Sequence, residues 1–252
     1  PRKVIDLTDK MKSDGTLKWN VPKGKWKIYR FVARSTGQTT RPAPETGHGF
    51  ECDKMNPAAY QNHWNNFQGE LLKKVQPGKN GAGWTRIHLD SWEMSSQNWT
   101  AKLREEFRKR RGYDPQPFYP AFMGTVVDSM ETTERFLWDL RTTAQELVIE
   151  NHAMVIKEIA HDHGMLYSNE PYDMNPAGDI DLGSVADVPM CEFWHEGCND
   201  GVYSCIEAAS IAHVMGRPIV AAESFTASAP IVRFDTYPGS MKNQLDGAFA
   251  MG

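Results

Sequence analysis

The sequence predicts an α/β fold, a parallel sheet covered by helices and wound as part of a (β/α)8 barrel. Three observations predict it. From Trp84 onward, short apolar runs alternate with stretches of helical periodicity, the pattern of strand–helix–strand units. Several of these runs end on acids: Arg86-Ile-His-Leu-Asp90-Ser-Trp-Glu93, Met165-Leu-Tyr-Ser-Asn-Glu170, Val188-Pro-Met-Cys-Glu192 and Pro218-Ile-Val-Ala-Ala-Glu223. In a (β/α)8 barrel the functional groups sit at the C-terminal ends of the strands, so acids in those positions suit that fold.

The elements follow in order. Residues 1–40 read as a small β unit, because Leu17–Val21 and Trp26–Val32 alternate around a Pro22-Lys-Gly24 turn. Residues 41–252 then carry the incomplete barrel. Gly47–Asp53 is a candidate strand ending on Asp53, and Pro57 to Val75 has helical spacing. Trp84–Leu89 is a strand, and Trp99–Arg111 a helix closed by Gly112. Met130 to His163 is a long helix ended by Gly164, with His161 and His163 as capping groups of its last turn rather than metal ligands. Strands at Met165–Asn169, Val188–Cys191 and Ile219–Ala222 alternate with helices at Tyr203–Met215 and Tyr237–Met251.

Composition excludes several classes. A net charge of −4 over 252 residues offers nothing to nucleic acid or an anionic membrane. No apolar run is long enough to span a bilayer. Four cysteines, Cys52, Cys191, Cys198 and Cys205, are too irregularly spaced for a zinc site; Cys198 and Cys205 could pair or stay reduced. Gly78–Gly83 lacks the Lys-Ser/Thr ending of a phosphate loop. The chain starts without Met and stops inside a predicted helix, so it is expected to be a piece of a larger protein.

Convergent carboxylates shift one another's pKa values, leaving one protonated and another ionised near neutral pH. Glycoside hydrolysis needs that division of labour. Eight Trp and eight Tyr, several beside the acids, suit a sugar site, although most aromatics fill cores. Taken singly, each acid could equally cap a helix or pair with a cation. Several at successive strand ends are harder to explain that way. Surplus carboxylates with the amide oxygens of Gln97 and Asn169 could instead hold calcium, which prefers oxygen ligands.

Asp14-Gly-Thr-Leu-Lys-Trp-Asn-Val-Pro-Lys-Gly-Lys-Trp26, Gly49-Phe-Glu-Cys-Asp-Lys54, Asp90-Ser-Trp-Glu93, Arg108-Lys-Arg-Arg-Gly-Tyr-Asp-Pro115, Arg135-Phe-Leu-Trp-Asp-Leu-Arg141, Ser168-Asn-Glu-Pro-Tyr172 and Ala221-Ala-Glu-Ser-Phe225 resemble, in that order, the bacterial α-L-rhamnosidases of glycoside hydrolase family 106. The resemblance implies roughly strands 3 to 7 of a (β/α)8 barrel, with the β unit as an insert before them. It implies inversion of configuration, calcium at the site, a carbohydrate substrate and a periplasmic or secreted location. Glu93 then resembles the general acid and Glu223 the general base. Asp53, Asp90, Glu170, Tyr172 and Trp194 become substrate contacts, and Glu192 and Gln97 metal contacts. Trp92 falls opposite Glu93 by strand alternation and reads as packing. Two alternatives stand beside it. Asn169-Glu170-Pro171 also resembles the acid/base of retaining β-galactosidase-like barrels, with Glu223 as nucleophile; a carbohydrate-binding module without turnover is the other. A chain short of barrel strands exposes sheet edges, so by itself it is expected to be inactive.

Overall fold

The computed structural model describes residues 3–40, 43–75, 77–78, 83–92, 96–173, 175–195, 202–227 and 236–252. The helices in chain order are α1 (Pro57–Asn66), α2 (Gln68–Leu72), α3 (Leu103–Arg111), α4 (Met130–Val148), α5 (Met154–Asp162), α6 (Asp179–Gly183), α7 (Val202–Met215) and α8 (Pro238–Ala250). The strands are β1 (Arg86–Leu89), β2 (Leu166–Asn169), β3 (Val188–Trp194) and β4 (Ala221–Thr226). The chain divides into two compact units, Pro1–Gly37 with Trp99–Ala144, and Gln38–Asn98 with Gln145–Gly252. The N-terminal segment thus shares a unit with residues 99–144.

In the first unit the alternating runs 17–21 and 26–32 form no ladder; the described residues there hold only the isolated antiparallel bridge Met11–Leu17. Aromatic packing takes the place of strand pairing. Trp26 meets Trp19 edge-on at 5.3 Å and donates from Nε1 to the Pro22 carbonyl at 2.9 Å. Phe31 packs edge-on against Tyr119 and Phe122. A two-stranded ribbon is marginal by itself, so side-chain packing decides the conformation. Tyr119 and Phe122 lie on a 3₁₀ segment, Gln116–Met123, that has no clear periodicity in the sequence. The core here is Phe107, Ala121 and Phe136, with Tyr113 and Phe118 against it. Gly112 ends α3 at φ +79°, its N–H bonded to the Arg108 carbonyl.

The second unit contains the sheet. Its order is β1-β2-β3-β4 and every pairing is parallel. Sequential order without reversal is the winding of a (β/α)8 barrel, whereas a doubly wound sheet reverses at its switch point. Residues 47–53 make no strand; Thr39 and Phe50 form a lone antiparallel bridge, and Asp53 uses its Oδ1 to accept the Met55 N–H at 3.0 Å. That Asx turn feeds α1, whose N-cap Asn56 accepts from the Ala58 N–H at 3.2 Å ahead of Pro57. The single helix expected over 57–75 breaks at Phe67, where φ −130° and ψ −81° leave the helical region.

The long helix is likewise interrupted. A π-helical turn, Ile149–Ala153, separates α4 from α5 and turns His152 and Ala153 into the core. Burial pulls the His152 imidazole down to about 3, so it is neutral at physiological pH. Gly164 closes α5 at φ +70°, and the Met165 N–H reaches back to the Ala160 carbonyl at 2.8 Å. His163 does bond a carbonyl of its own last turn, that of Ile159, at 2.8 Å. His161 instead meets Asp187 at 2.7 Å. The last two strands run further than their apolar cores suggest, because Met190–Trp194 pairs along Ala221–Thr226.

Candidate active site

Strand alternation sorts the sheet into two rows. Ile87, Tyr167, Cys191 and Phe193 are each at most 4 % exposed and form the helix-covered row. Cys191, Phe193 and Ala222 pack with Cys205 and Ala208 of α7, and the Asn169 amide donates to the Leu182 carbonyl of α6 at 3.1 Å. The opposite row therefore carries His88, Asp90, Ser168, Glu170, Glu192 and Glu223. Register agrees with this: His88 pairs with Ser168, and Glu192 with Glu223, and parallel partners project to the same side.

At the end of β1, His88 contacts the Ser168 Oγ through Nδ1 at 3.1 Å and Asp90 Oδ1 through Nε2 at 3.3 Å. With both nitrogens engaged, His88 orients Asp90. The imidazole beside it holds the Asp90 carboxyl below the usual carboxylate range. Glu170, immediately after β2, is placed by its own N–H bonding the Leu89 carbonyl at 3.0 Å. It is 1 % exposed, and among the described residues neither carboxylate oxygen makes a hydrogen bond of good geometry, although Tyr172 and Asp90 lie beside it. Burial, with Asp90 close by, pushes its pKa up to about 7. One atom each from His88, Asp90 and Glu170 lies within 4.8 Å of the others. The proton of this pair therefore resides on Glu170, and Asp90 carries the charge.

Tyr172 donates its hydroxyl to Glu192 at 3.3 Å. Burial, then the neighbouring Glu170 and Glu192 carboxyl groups, raise the Tyr172 pKa, so it is a permanent donor. The Glu192 backbone is gripped from α7: Ser204 Oγ donates to its carbonyl at 2.9 Å and accepts its N–H at 3.2 Å. Glu223, half-buried on β4, accepts from Thr226 Oγ1 at 2.6 Å. A register shift at Phe193/Trp194 makes Trp194 the partner of Thr226, and Phe225 takes φ +59° there. The bulge turns Phe225 onto Phe193 and aims Thr226 at Glu223.

Asp90, Glu170, Glu192 and Glu223 thus share one face, Glu192 and Glu223 from within β3 and β4, and Tyr172 reaches it through Glu192. Trp194 ends β3, its side chain partly exposed and its carbonyl accepting from Gln244 at 2.6 Å. Asp53 and Gln97 belong to a different set of contacts, in which the Gln97 amide donates to Asp53 Oδ1 at 2.5 Å and accepts the Lys54 N–H at 3.0 Å. Glu93 and Cys198 lie outside the described residues. Trp92 is 7 % exposed and packed. His88, Ser204 and Thr226 escaped the sequence reading. The i, i+2 spacing of His88 and Asp90 on a strand was an available signal for the first; Ser204 and Thr226 act through register and helix placement, which no spacing reveals.

The oxygen-rich face tests the calcium expectation. Glu170 presents two buried oxygens, and Asp90 an ionised carboxylate oriented from behind by His88. Oxygen donors needing positive charge fit a hard cation. Gln97 has both ends of its amide engaged elsewhere.

Comparison with known proteins supplies the remaining observation. A protein of Formosa agariphila, carrying the name "Putative beta-glucuronidase", is 37 % identical over 255 residues, covering 100 % of this chain and 21 % of that protein. The solved structure of a rhamnosidase from Novosphingobium sp. PP1Y matches with a TM-score of 0.78 and 30 % identity, over 98 % of this chain and 24 % of that one. The chain thus spans less than a quarter of either relative's length. The family model described as alpha-L-rhamnosidase matches residues 1–252 throughout, and this chain belongs to that family, glycoside hydrolase family 106.

Proposed function

We propose that this chain forms the central part of the catalytic barrel of an inverting α-L-rhamnosidase, with Glu93 as general acid and Glu223 as general base. The observation that supports it most is the row of carboxylates on one face of a sequentially wound parallel sheet, with Glu223 on β4 held by Thr226. In an inverting glycosidase one carboxyl protonates the departing glycosidic oxygen while another removes a proton from the attacking water, at a separation of about 6.5–9.5 Å. An anchored, half-buried carboxylate suits the second task. Asp90, Glu170, Tyr172 and Glu192 line the same face as contacts for sugar hydroxyls, and Trp194 borders it. Calcium, held by Asp90 and Glu170 with Glu192 nearby in the row, would supply fixed positive charge for those hydroxyls.

A second assignment rests on a specific observation. Glu170 is a buried carboxyl whose pKa reaches about 7, the property of a proton donor at neutral pH. In a retaining mechanism it would be the acid/base and Glu223 the nucleophile. The sugar has two candidates as well, since one relative's name indicates a rhamnoside and the other's a glucuronide. The test uses the protein in its natural full-length form. Aryl α-L-rhamnosides and aryl β-D-glucuronides are supplied, and the anomer released first is followed by NMR. Rhamnose appearing with inverted configuration supports the proposal. Retained configuration transfers the acid role to Glu170, and turnover of the glucuronide alone rejects the rhamnoside assignment.

A further inference from the structure

Lys54 is 5 % exposed, which is rare for a lysine. Its ammonium lies 3.1 Å from the centroid of the Trp92 ring and 2.8 Å from Glu51. Trp92 is itself 7 % exposed, so the ring is sandwiched into the interior beneath the cation. Trp92 stands two residues after Asp90 in the segment that leaves β1. The same segment is held a second time at its far end: the Lys54 N–H donates to Gln97 Oε1 at 3.0 Å, and Gln97 Nε2 donates to Asp53 at 2.5 Å. The turn 53–55 is fixed in turn, by the Asp53–Met55 Asx turn and by Asn151 donating to the Met55 carbonyl at 2.8 Å.

We infer that Lys54 is a positioning residue, a buried clamp that fixes the start of the segment following β1 through the face of Trp92 and so sets the placement of Asp90. The inference rests on the functional reading above for its catalytic consequence, and on contacts alone for the clamp. A cation over an indole in a desolvated setting is strong and directional. A methylene stem could fill the same space but could not hold the ring plane. β1 ends at Leu89, and the contacts of Trp92 with Lys54 and of Gln97 with the Lys54 N–H hold described residues that follow it.

Three substitutions test this in the full-length protein: Lys54→Met, Lys54→Arg and, as an unrelated buried control, Ile156→Val on α5. Hydrogen exchange of peptides covering residues 90–98 reads the clamp, and steady-state kinetics on the aryl rhamnoside reads its consequence. Lys54→Met is expected to speed exchange of those peptides about tenfold, leave α5 peptides unchanged, and lower kcat about tenfold with KM altered little. Lys54→Arg keeps the cation over the ring and is expected to restore most of both. Ile156→Val is expected to lower the melting temperature without the kcat-specific loss. Unchanged exchange in Lys54→Met overturns the clamp. Faster exchange with unchanged kcat overturns the positioning role. A kcat loss that Lys54→Arg does not recover, or that Ile156→Val reproduces, reduces Lys54 to a packing residue. If the unsubstituted protein turns over no glycoside, the failure belongs to the functional reading, and the exchange data still decide the clamp.

Discussion

Glu192 and Glu223 are direct register partners in the parallel pair of β3 and β4, and each has its own hydroxyl donor, Tyr172 for Glu192 and Thr226 for Glu223. Two carboxylates side by side repel when both ionise. Here each carboxyl group has a donor of its own. The two should nevertheless respond differently to loss of charge. Glu223→Gln is expected to lower kcat about 10²–10⁴-fold, the scale of a missing general base. Glu192→Gln is expected to act mainly on KM, because it removes a contact and not a proton acceptor. Steady-state kinetics on the full-length protein separates them, and a kcat loss as large for Glu192→Gln as for Glu223→Gln would move the base assignment to Glu192.

The donor to Glu223 depends on a strained residue. Phe225 adopts φ +59° at the bulge between β3 and β4, a conformation costly for a bulky side chain. Packing on Phe193, 4.9 Å away and edge-on, compensates for it. Thr226→Val keeps shape and β-propensity but removes the hydroxyl. It is expected to cost about tenfold in kcat, one hydrogen bond to a charged group, with little change in melting temperature. Phe225→Ala should keep the strain and lose the packing, lowering stability by about 3 kcal/mol. Thermal melts beside kinetics distinguish the two; a Thr226→Val protein with full activity would show that Glu223 does not need its donor.

The parallel sheet and its acids were legible in the sequence because each rests on a local pattern. Asp90, Glu170 and Glu223 stand where apolar runs stop, and Gly112 and Gly164 mark helix ends by their own backbone freedom. The N-terminal hairpin misled for a physical reason. Alternation of Trp19, Val21, Trp26 and Ile28 is the period of a strand, but aromatic residues at that spacing also pack without pairing. The strand expected before Asp53 failed similarly, since the Asp and Asn side chains at 53 and 56 compete locally with a ladder and make a turn and a cap. Lys54 on Trp92, Ser204 on Glu192 and Thr226 on Glu223 were invisible, because each depends on where two elements meet.

Gly183 ends α6 directly against the site's support. A Cβ at that position would lie 2.4 Å from Ile211 Cδ1 and 3.1 Å from Pro171 Cγ. Pro171 is rigid and follows Glu170, and Ile211 is 2 % exposed, so neither can move freely. Gly183→Ala is expected to destabilise by about 1–3 kcal/mol through overpacking, despite alanine's better helix propensity. Denaturant unfolding measures it. An unchanged or raised midpoint would mean that Ile211 repacks, and that the α6–α7 contact does not brace Glu170.

Glu170 sets a pH dependence whose sign can be worked out. Its carboxyl titrates at about 7 when folded, against an ordinary value of 4.5. Between those values the folded protein holds the proton and the unfolded chain has lost it, so stability falls as pH rises across that window and is level above it. In metal-free protein, Glu170→Gln removes the penalty. The melting temperature of the variant should therefore match the parent near pH 4.5 and exceed it increasingly toward pH 8, the full difference being on the order of 3 kcal/mol. A cation on the same oxygens competes with the proton. Calcium is accordingly expected to raise the parent's melting temperature more at pH 8 than at pH 5, and to do so much less in Glu170→Gln. Thermal melts in chelator and in calcium at both pH values read all of this together. Parallel curves for parent and variant in chelator would show that Glu170 is not the titrating group. An equal calcium shift in the variant would place the cation on other oxygens, leaving Glu170 as an acid kept protonated by its burial.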